Sequence, residues 1–136
     1  MKPTTRLWIA QSVLAALFLF AGVFKLVTPT DVLTVESHMP GAFIKFIGIC
    51  ETLGALGLIL PGLTKIRTEL TPLAAAGLVI IMIGAVVTSI VQGAGIASAF
   101  PGVVGLLAFY VARGRWAKVQ QRATALVAPT VLRRAA

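Results

Sequence analysis

Residues 41–60 read GAFIKFIGICETLGALGLIL, and Pro61-Gly62 closes the run. A helix of this length rises about 30 Å at 1.5 Å per residue, the thickness of a bilayer's hydrocarbon core. Two charges stand inside it, Lys45 and Glu51. Lys45 is near the start and can extend its long chain to the interface. Glu51 has no such escape. It lies about ten residues, or about 15 Å, into the segment, where a charged carboxylate costs at least about 2.5 kcal/mol. Such a group should face protein rather than lipid and be either paired or protonated. A span that carries it needs neighbouring spans to shelter it.

Three further apolar runs supply them, at residues 7–27, 72–91 and 96–112. Lys2 and Arg6 precede the first, and Pro29 stops it. At 21 residues, with no small-x-small cleavage site after it, this run reads as a retained anchor rather than a signal peptide. Thr71 is the expected N-cap of the third helix, with Pro72 at its first position. The fourth is the shortest and ends at Arg113. Composition agrees: 58% of residues are hydrophobic, 12% are charged, and mean hydropathy is +0.98. A soluble domain of this size has no room to bury so much apolar surface.

Twelve Lys and Arg against four Asp and Glu give a net charge of +8. The basic residues sit beside the apolar runs, which points to a membrane surface and away from nucleic acid. Ten of them fall on one side: Lys2, Arg6, Lys65, Arg67, Arg113, Arg115, Lys118, Arg122, Arg133 and Arg134. The other side carries Asp31, Glu36 and His38 in a long loop, and the uncharged Gln92-Gly93-Ala94-Gly95. The positive-inside rule then places both chain ends in the cytoplasm. Residues 1–112 form the membrane domain and residues 113–136 a basic cytoplasmic tail. The tail sets Trp116, Val119 and Leu126 against Arg115, Lys118 and Arg122, the pattern of an interfacial helix on anionic lipid; a frayed basic stop-transfer segment fits it equally. In the long loop, Thr30 should cap a short helix with Asp31 in its first turn and Pro40 after it.

Lipid offers no hydrophobic drive between helices, so their contacts rely on small residues. The first run offers Ala15 and Gly22 on one stripe; the second offers Gly48, Gly54 and Ala55 around Glu51. The third has Ala74 to Gly77, then Gly84, Ala85 and Thr88, and the fourth has Gly102 and Gly105. The fold class this predicts is all-α: an integral membrane, antiparallel four-helix bundle.

Lys25 is the expected partner of Glu51. It shares the small stripe of the first helix, and in antiparallel neighbours the two side chains lean toward each other, because each leans toward its own N-terminus. Two readings of the pair stay open: an ion pair that locks two helices, or a polar pocket for a quinone head group or a proton relay. Lys45 is a poorer candidate: six residues from Glu51, it lies on a different face and should snorkel. Gln11, at the opposite end of the Lys25 stripe, is a further, weaker candidate for the polar site. His38, beside Glu36, is a weaker candidate for a quinone carbonyl or a metal, since a lone loop histidine is ordinarily solvated. Cys50 points about 100° away from Glu51 and reads as packing. Phe18, Phe20, Phe24, Phe43 and Phe46 are core or lipid contacts that would also accept a quinone ring, and Trp8 and Trp116 are interface anchors. The chain has no CxxC, HExxH, GxGxxG or Walker A motif. No catalytic residues and no metal ligands emerge, and no cofactor is evident beyond a quinone.

Residues 15–26, AALFLFAGVFKL, resemble the first-helix signature of the DoxX-like membrane proteins, an aromatic-apolar run ending in Ala-Gly-x-x-Lys-Leu. Residues 47–62, IGICETLGALGLILPG, resemble the second, Gly-x-x-Glu-x-x-Gly followed by an apolar run and a Pro or Gly stop. Residues 70–77, LTPLAAAG, resemble the start of the third helix. The likeness runs over about residues 8–110 and leaves out the tail. It implies a small four-helix protein of the bacterial inner membrane, in which the family's recurring Lys and Glu fall on Lys25 and Glu51. Some relatives look like membrane subunits of quinone-linked sulfur or thiol oxidoreductases; some animal relatives act as assembly chaperones. The first expectation is therefore a non-catalytic subunit or anchor of an oxidoreductase or redox-stress complex, with a protein partner or a second copy of itself. An assembly factor is the alternative and a small transporter ranks last.

Overall fold

The computed structural model describes the backbone of residues 3–135 and the side chains of residues 4–127 other than Glu36. Lys2 and the side chains of Glu36, Arg133 and Arg134, used in the charge argument above, lie outside the described residues. Five α-helices form there: α1 (Pro3–Val27), α2 (Thr30–Ser37), α3 (Gly41–Thr64), α4 (Leu70–Val91) and α5 (Ala99–Ala135), with one 3-10 turn at Gly95–Ser98. α1, α3, α4 and the first part of α5 are long and apolar enough to cross a membrane.

These four pack in a closed ring, α1 on α3, α3 on α4, α4 on α5 and α5 back on α1. Close approaches at glycines show the antiparallel register. Gly22 faces Gly48 and Thr52, and Gly62 faces Trp8, between α1 and α3; Gly54 faces Leu78 and Gly57 faces Ala74 between α3 and α4. Gly105 faces Met82 between α5 and α4, and Gly114 faces Leu7 between α5 and α1. The core runs through Leu14, Phe18, Leu58, Leu78, Ala108 and Val111. Residues such as Phe20, Leu53, Ile80 and Leu106 are 62–76% exposed, apolar surface suited to contact with lipid. The protein is a multi-pass membrane protein with an all-α bundle. One end, the α2 end, carries α2 and residues 92–98; the other, the Trp8 end, carries the start of α1 and the α3–α4 link.

Several local details differ from the sequence reading. α3 does not stop at Pro61 but passes through it to Thr64, ending at Lys65 with φ 57°. Pro61 has no N–H for Gly57 O, and membrane helices tolerate such a proline inside a packed bundle; Pro61 is buried, and Gln11 Nε2 donates to the next carbonyl, Leu58 O. Thr71 does not cap α4: the helix begins at Leu70, after Glu69, and Thr71 is buried inside it. Thr30 is the first residue of α2 rather than its cap, which is Pro29. Gly77 and Gly84 of α4 face open space rather than a helix contact. The helix of the fourth span, α5, begins at Ala99, after the 3-10 turn, and continues without a break past Arg113 to Ala135. Residues 113–127 include a single Gly, no Pro, and many good helix formers. Gly114 rests against the Leu7 side chain, so its missing Cβ serves a contact instead of a stop.

Candidate functional site

Gly22 and Gly48 bring the α1 and α3 backbones together. A Cβ on Gly22 would lie 2.8 Å from Gly48 O, and one on Gly48 would lie 3.0 Å from Gly22 O. Lys25 and Glu51 each follow one of these glycines by three residues, hence sit one turn further along the same faces. At this separation the two side chains meet. Lys25 Nζ donates to Glu51 Oε1 at 3.0 Å and to Oε2 at 2.8 Å. The Glu51 side chain is 4% exposed and that of Lys25 27%. It is the one carboxylate–cation pair among the described residues. Thr52 Oγ1, packed against Gly22, donates back to Gly48 O at 2.8 Å and leaves no polar atom of its own to satisfy there.

The pair lies in the wall of a cavity of about 530 Å³ between the α1–α3 and α4–α5 halves. Apart from Lys25, Glu51 and Thr88, the lining is apolar, with Phe18, Phe43 and Phe100 among it. Small-molecule sites have this size and this character, a mostly apolar pocket with a few placed polar groups. Lys25 has three N–H donors and Glu51 uses two of them. The third is available to an acceptor such as a carbonyl oxygen.

The structure separates the other sequence candidates from this pair. Lys45 does not extend freely into the interface. Its Nζ donates to Leu26 O at 2.7 Å and to Thr28 O at 2.6 Å, capping the exposed carbonyls at the end of α1. Gln11 is fully buried near the Trp8 end, where it donates to Leu58 O and accepts from Arg115 Nε at 2.7 Å. His38 is exposed and ends α2 with φ 52°, its N–H bonded to Thr34 O. Beside it, Gln92 Nε2 donates to Ser37 O at 2.6 Å and ties the α4 end to α2. Phe18 is core; Phe20 and Phe24 stack on each other on the outer face of α1, ring centroids 6.3 Å apart. Trp116 is half exposed, whereas Trp8 is partly covered by the Arg115 guanidinium, 4.7 Å above its ring. Sequence reasoning missed the roles of Lys45 and Arg115. The signal for Lys45 was its position: four residues into α3, it lies level with the end of the antiparallel α1.

A family model described as DoxX-like matches residues 9–111. The chain belongs to the DoxX-like family. The matched stretch takes in most of each of the four spanning segments of this DoxX-like protein, with both Lys25 and Glu51 inside it, and ends before Arg115. Comparison with curated proteins and with solved structures found no match.

Proposed function

We propose that this DoxX-like protein is a non-catalytic membrane subunit, or anchor, of a quinone-linked or thiol/sulfur oxidoreductase or redox-stress complex, and that its cavity takes the ring of a quinone. The observation that carries this reading is the Lys25–Glu51 pair set in an otherwise apolar cavity of about 530 Å³. The ammonium's remaining N–H suits a quinone carbonyl, and the aromatic wall suits the ring face. The protein contributes binding and orientation, and the electron chemistry belongs to the quinone and to a partner subunit. The location that fits is the bacterial inner membrane, with the Trp8 end and its cations in the cytoplasm.

Native mass spectrometry of the full chain, extracted from its own membrane in mild detergent, tests this. The expected result is a co-purifying quinone or a stoichiometric oxidoreductase subunit, lost or much reduced in Glu51→Gln although that variant still inserts. A wild-type chain free of both, or a variant that retains them equally, overturns it.

One observation favours the assembly-factor alternative. α5 has 37 residues, or about 55 Å at 1.5 Å per residue, against about 30 Å of hydrocarbon. Its last turns therefore project from the bundle as an arm. Truncation after Arg122 keeps the Arg115 contacts; if that variant folds but loses its detected partners, the assembly reading gains over the redox one.

A further inference from the structure

The Trp8 end holds a second cavity, of about 310 Å³, and its chemistry is the opposite of the first. Lys65 reaches it from the α3–α4 link, Arg115, Lys118 and Arg122 from α5, and Thr4 and Trp8 from α1. Among the described residues, four cations converge and no carboxylate lines the wall. The Arg115 guanidinium is fixed in place by Gln11 Oε1 on one edge and the Trp8 ring on its face. Its Nη2 is closed off from solvent and has no acceptor among the described residues. Among the described residues, Lys118 Nζ meets a hydroxyl, Thr4 Oγ1, at 3.0 Å. Lys65 holds a left-handed backbone at φ 57°, a conformation glycine adopts far more readily than lysine. The fold thus gathers positive charge, fixes one member rigidly, and puts no carboxylate of the described residues in the cavity wall.

We infer that this cavity is a phosphate-binding site, and that its natural occupant is the headgroup phosphate of an anionic phospholipid. Phosphate oxygens match both kinds of donor present, the planar guanidinium fork and the ammonium groups. The cavity's depth selects the lipid. It lies where the spans end, beside Trp8, a residue type that concentrates at headgroup level, and basic pockets between membrane helices at this level take anionic headgroups. The α5 extension then has a role in the bundle itself, since it delivers the three cations that the matched family region does not reach. This inference is independent of the quinone reading, which concerns the other cavity.

The test is native mass spectrometry of the full chain, delipidated in detergent and titrated with phosphatidylglycerol, with phosphatidylcholine of the same acyl chains, and with inorganic phosphate as competitor. Phosphatidylglycerol should be retained over phosphatidylcholine. Lys118→Gln with Arg122→Gln, which leaves the Arg115–Gln11 contact in place, should weaken that retention about tenfold, since each cation near a membrane surface contributes on the order of a fewfold in affinity. Lys65→Gly should lower retention while leaving the melting temperature unchanged or raised, because it relaxes the backbone as it removes the charge; a purely structural lysine would not separate the two readouts. Competition by millimolar inorganic phosphate would keep the phosphate site but assign it to a free phosphate. Equal retention of the two lipids, or retention unchanged in the double variant, overturns the site.

Discussion

Near the α2 end a lysine meets a carboxylate at 2.8 and 3.0 Å beside an apolar cavity. Near the Trp8 end an arginine meets an amide oxygen at 2.7 Å and an aromatic face at 4.7 Å, beside a cavity with four cations and no acid. Both arrangements satisfy a charge that the fold has drawn inward, by different means. A carboxylate cancels charge, so Glu51 can stand midway along α3 without leaving a net charge in a low-dielectric place. An amide and a ring solvate charge without cancelling it, so Arg115 remains a cation and belongs where water and headgroups are within reach. The pair tolerates depth and depends on both members; the arginine depends on its surroundings and keeps an appetite for an anion.

The largest expected effect comes from breaking the balance at the first site. Glu51→Leu leaves Lys25 beside an apolar cavity with no counter-charge, and stranding one member of a buried pair costs roughly 3–5 kcal/mol. Thermal unfolding in detergent should show a large drop in melting temperature. Lys25→Met combined with Glu51→Leu should restore most of it, since replacing both charges by apolar groups is often neutral. A double variant as unstable as the single one would mean that the pair does more than cancel charge. The corresponding change at the other end, Gln11→Leu, should cost less, about 1–3 kcal/mol for hydrogen bonds lost by buried groups, because Arg115 keeps its aromatic contact.

A smaller effect distinguishes how the two ends bring helices together. At Gly22 an added Cβ would stand 2.8 Å from both Gly48 O and Thr52 N, backbone atoms that move only with the helix. Gly22→Ala should therefore cost about 1–3 kcal/mol as an overpacked contact, and it should loosen the ion pair one turn away. At Gly114 the crowding atoms belong to the Leu7 side chain, 2.6 Å from the added Cβ, which can turn aside. Gly114→Ala should cost less than Gly22→Ala and gains some helix propensity in return. Equal losses in the two variants would show that α5 is held against α1 as rigidly as α3 is.

How much of this was legible beforehand depends on which physical rule carries the information. The four spans, their antiparallel order and the meeting of Lys25 with Glu51 follow from hydropathy, small-residue stripes and the lean of helical side chains, all of which are local. Helix ends did not follow. Pro61 and Thr71 carry signals derived from soluble helices, where water waits to take any freed carbonyl or amide. In the bundle Pro61 is buried against neighbouring helices instead, and α3 continues. The length of α5 was hidden because a change from apolar to basic composition reads as the end of a span although nothing in residues 113–127 ends a helix. The second cavity was invisible for a different reason. Its cations come from segments about 50 residues apart, Lys65 and the 115–122 stretch, and only the closed ring brings them together.

The smallest effect tests a link between the pair and the end of its own helix. Lys45 bonds Leu26 O and Thr28 O, carbonyls that lie just past Lys25 where α1 has no further turn to satisfy them. A cation at a helix C-terminus typically contributes about 0.3–1 kcal/mol, so Lys45→Met should lower stability by that modest amount, well below the loss in Glu51→Leu. Its local consequence should exceed its global one. With the cap removed, the last turn of α1 frays, and Lys25 sits in that turn. Amide hydrogen exchange should accelerate in residues 24–28 while residues 10–18 stay protected. If exchange rises evenly along α1, the cap stabilises the whole helix and does not hold the Lys25 turn in particular. If it rises only at the end, the two lysines near the α2 end have divided the work: one neutralises the carboxylate, and the other keeps the turn that carries its partner in place.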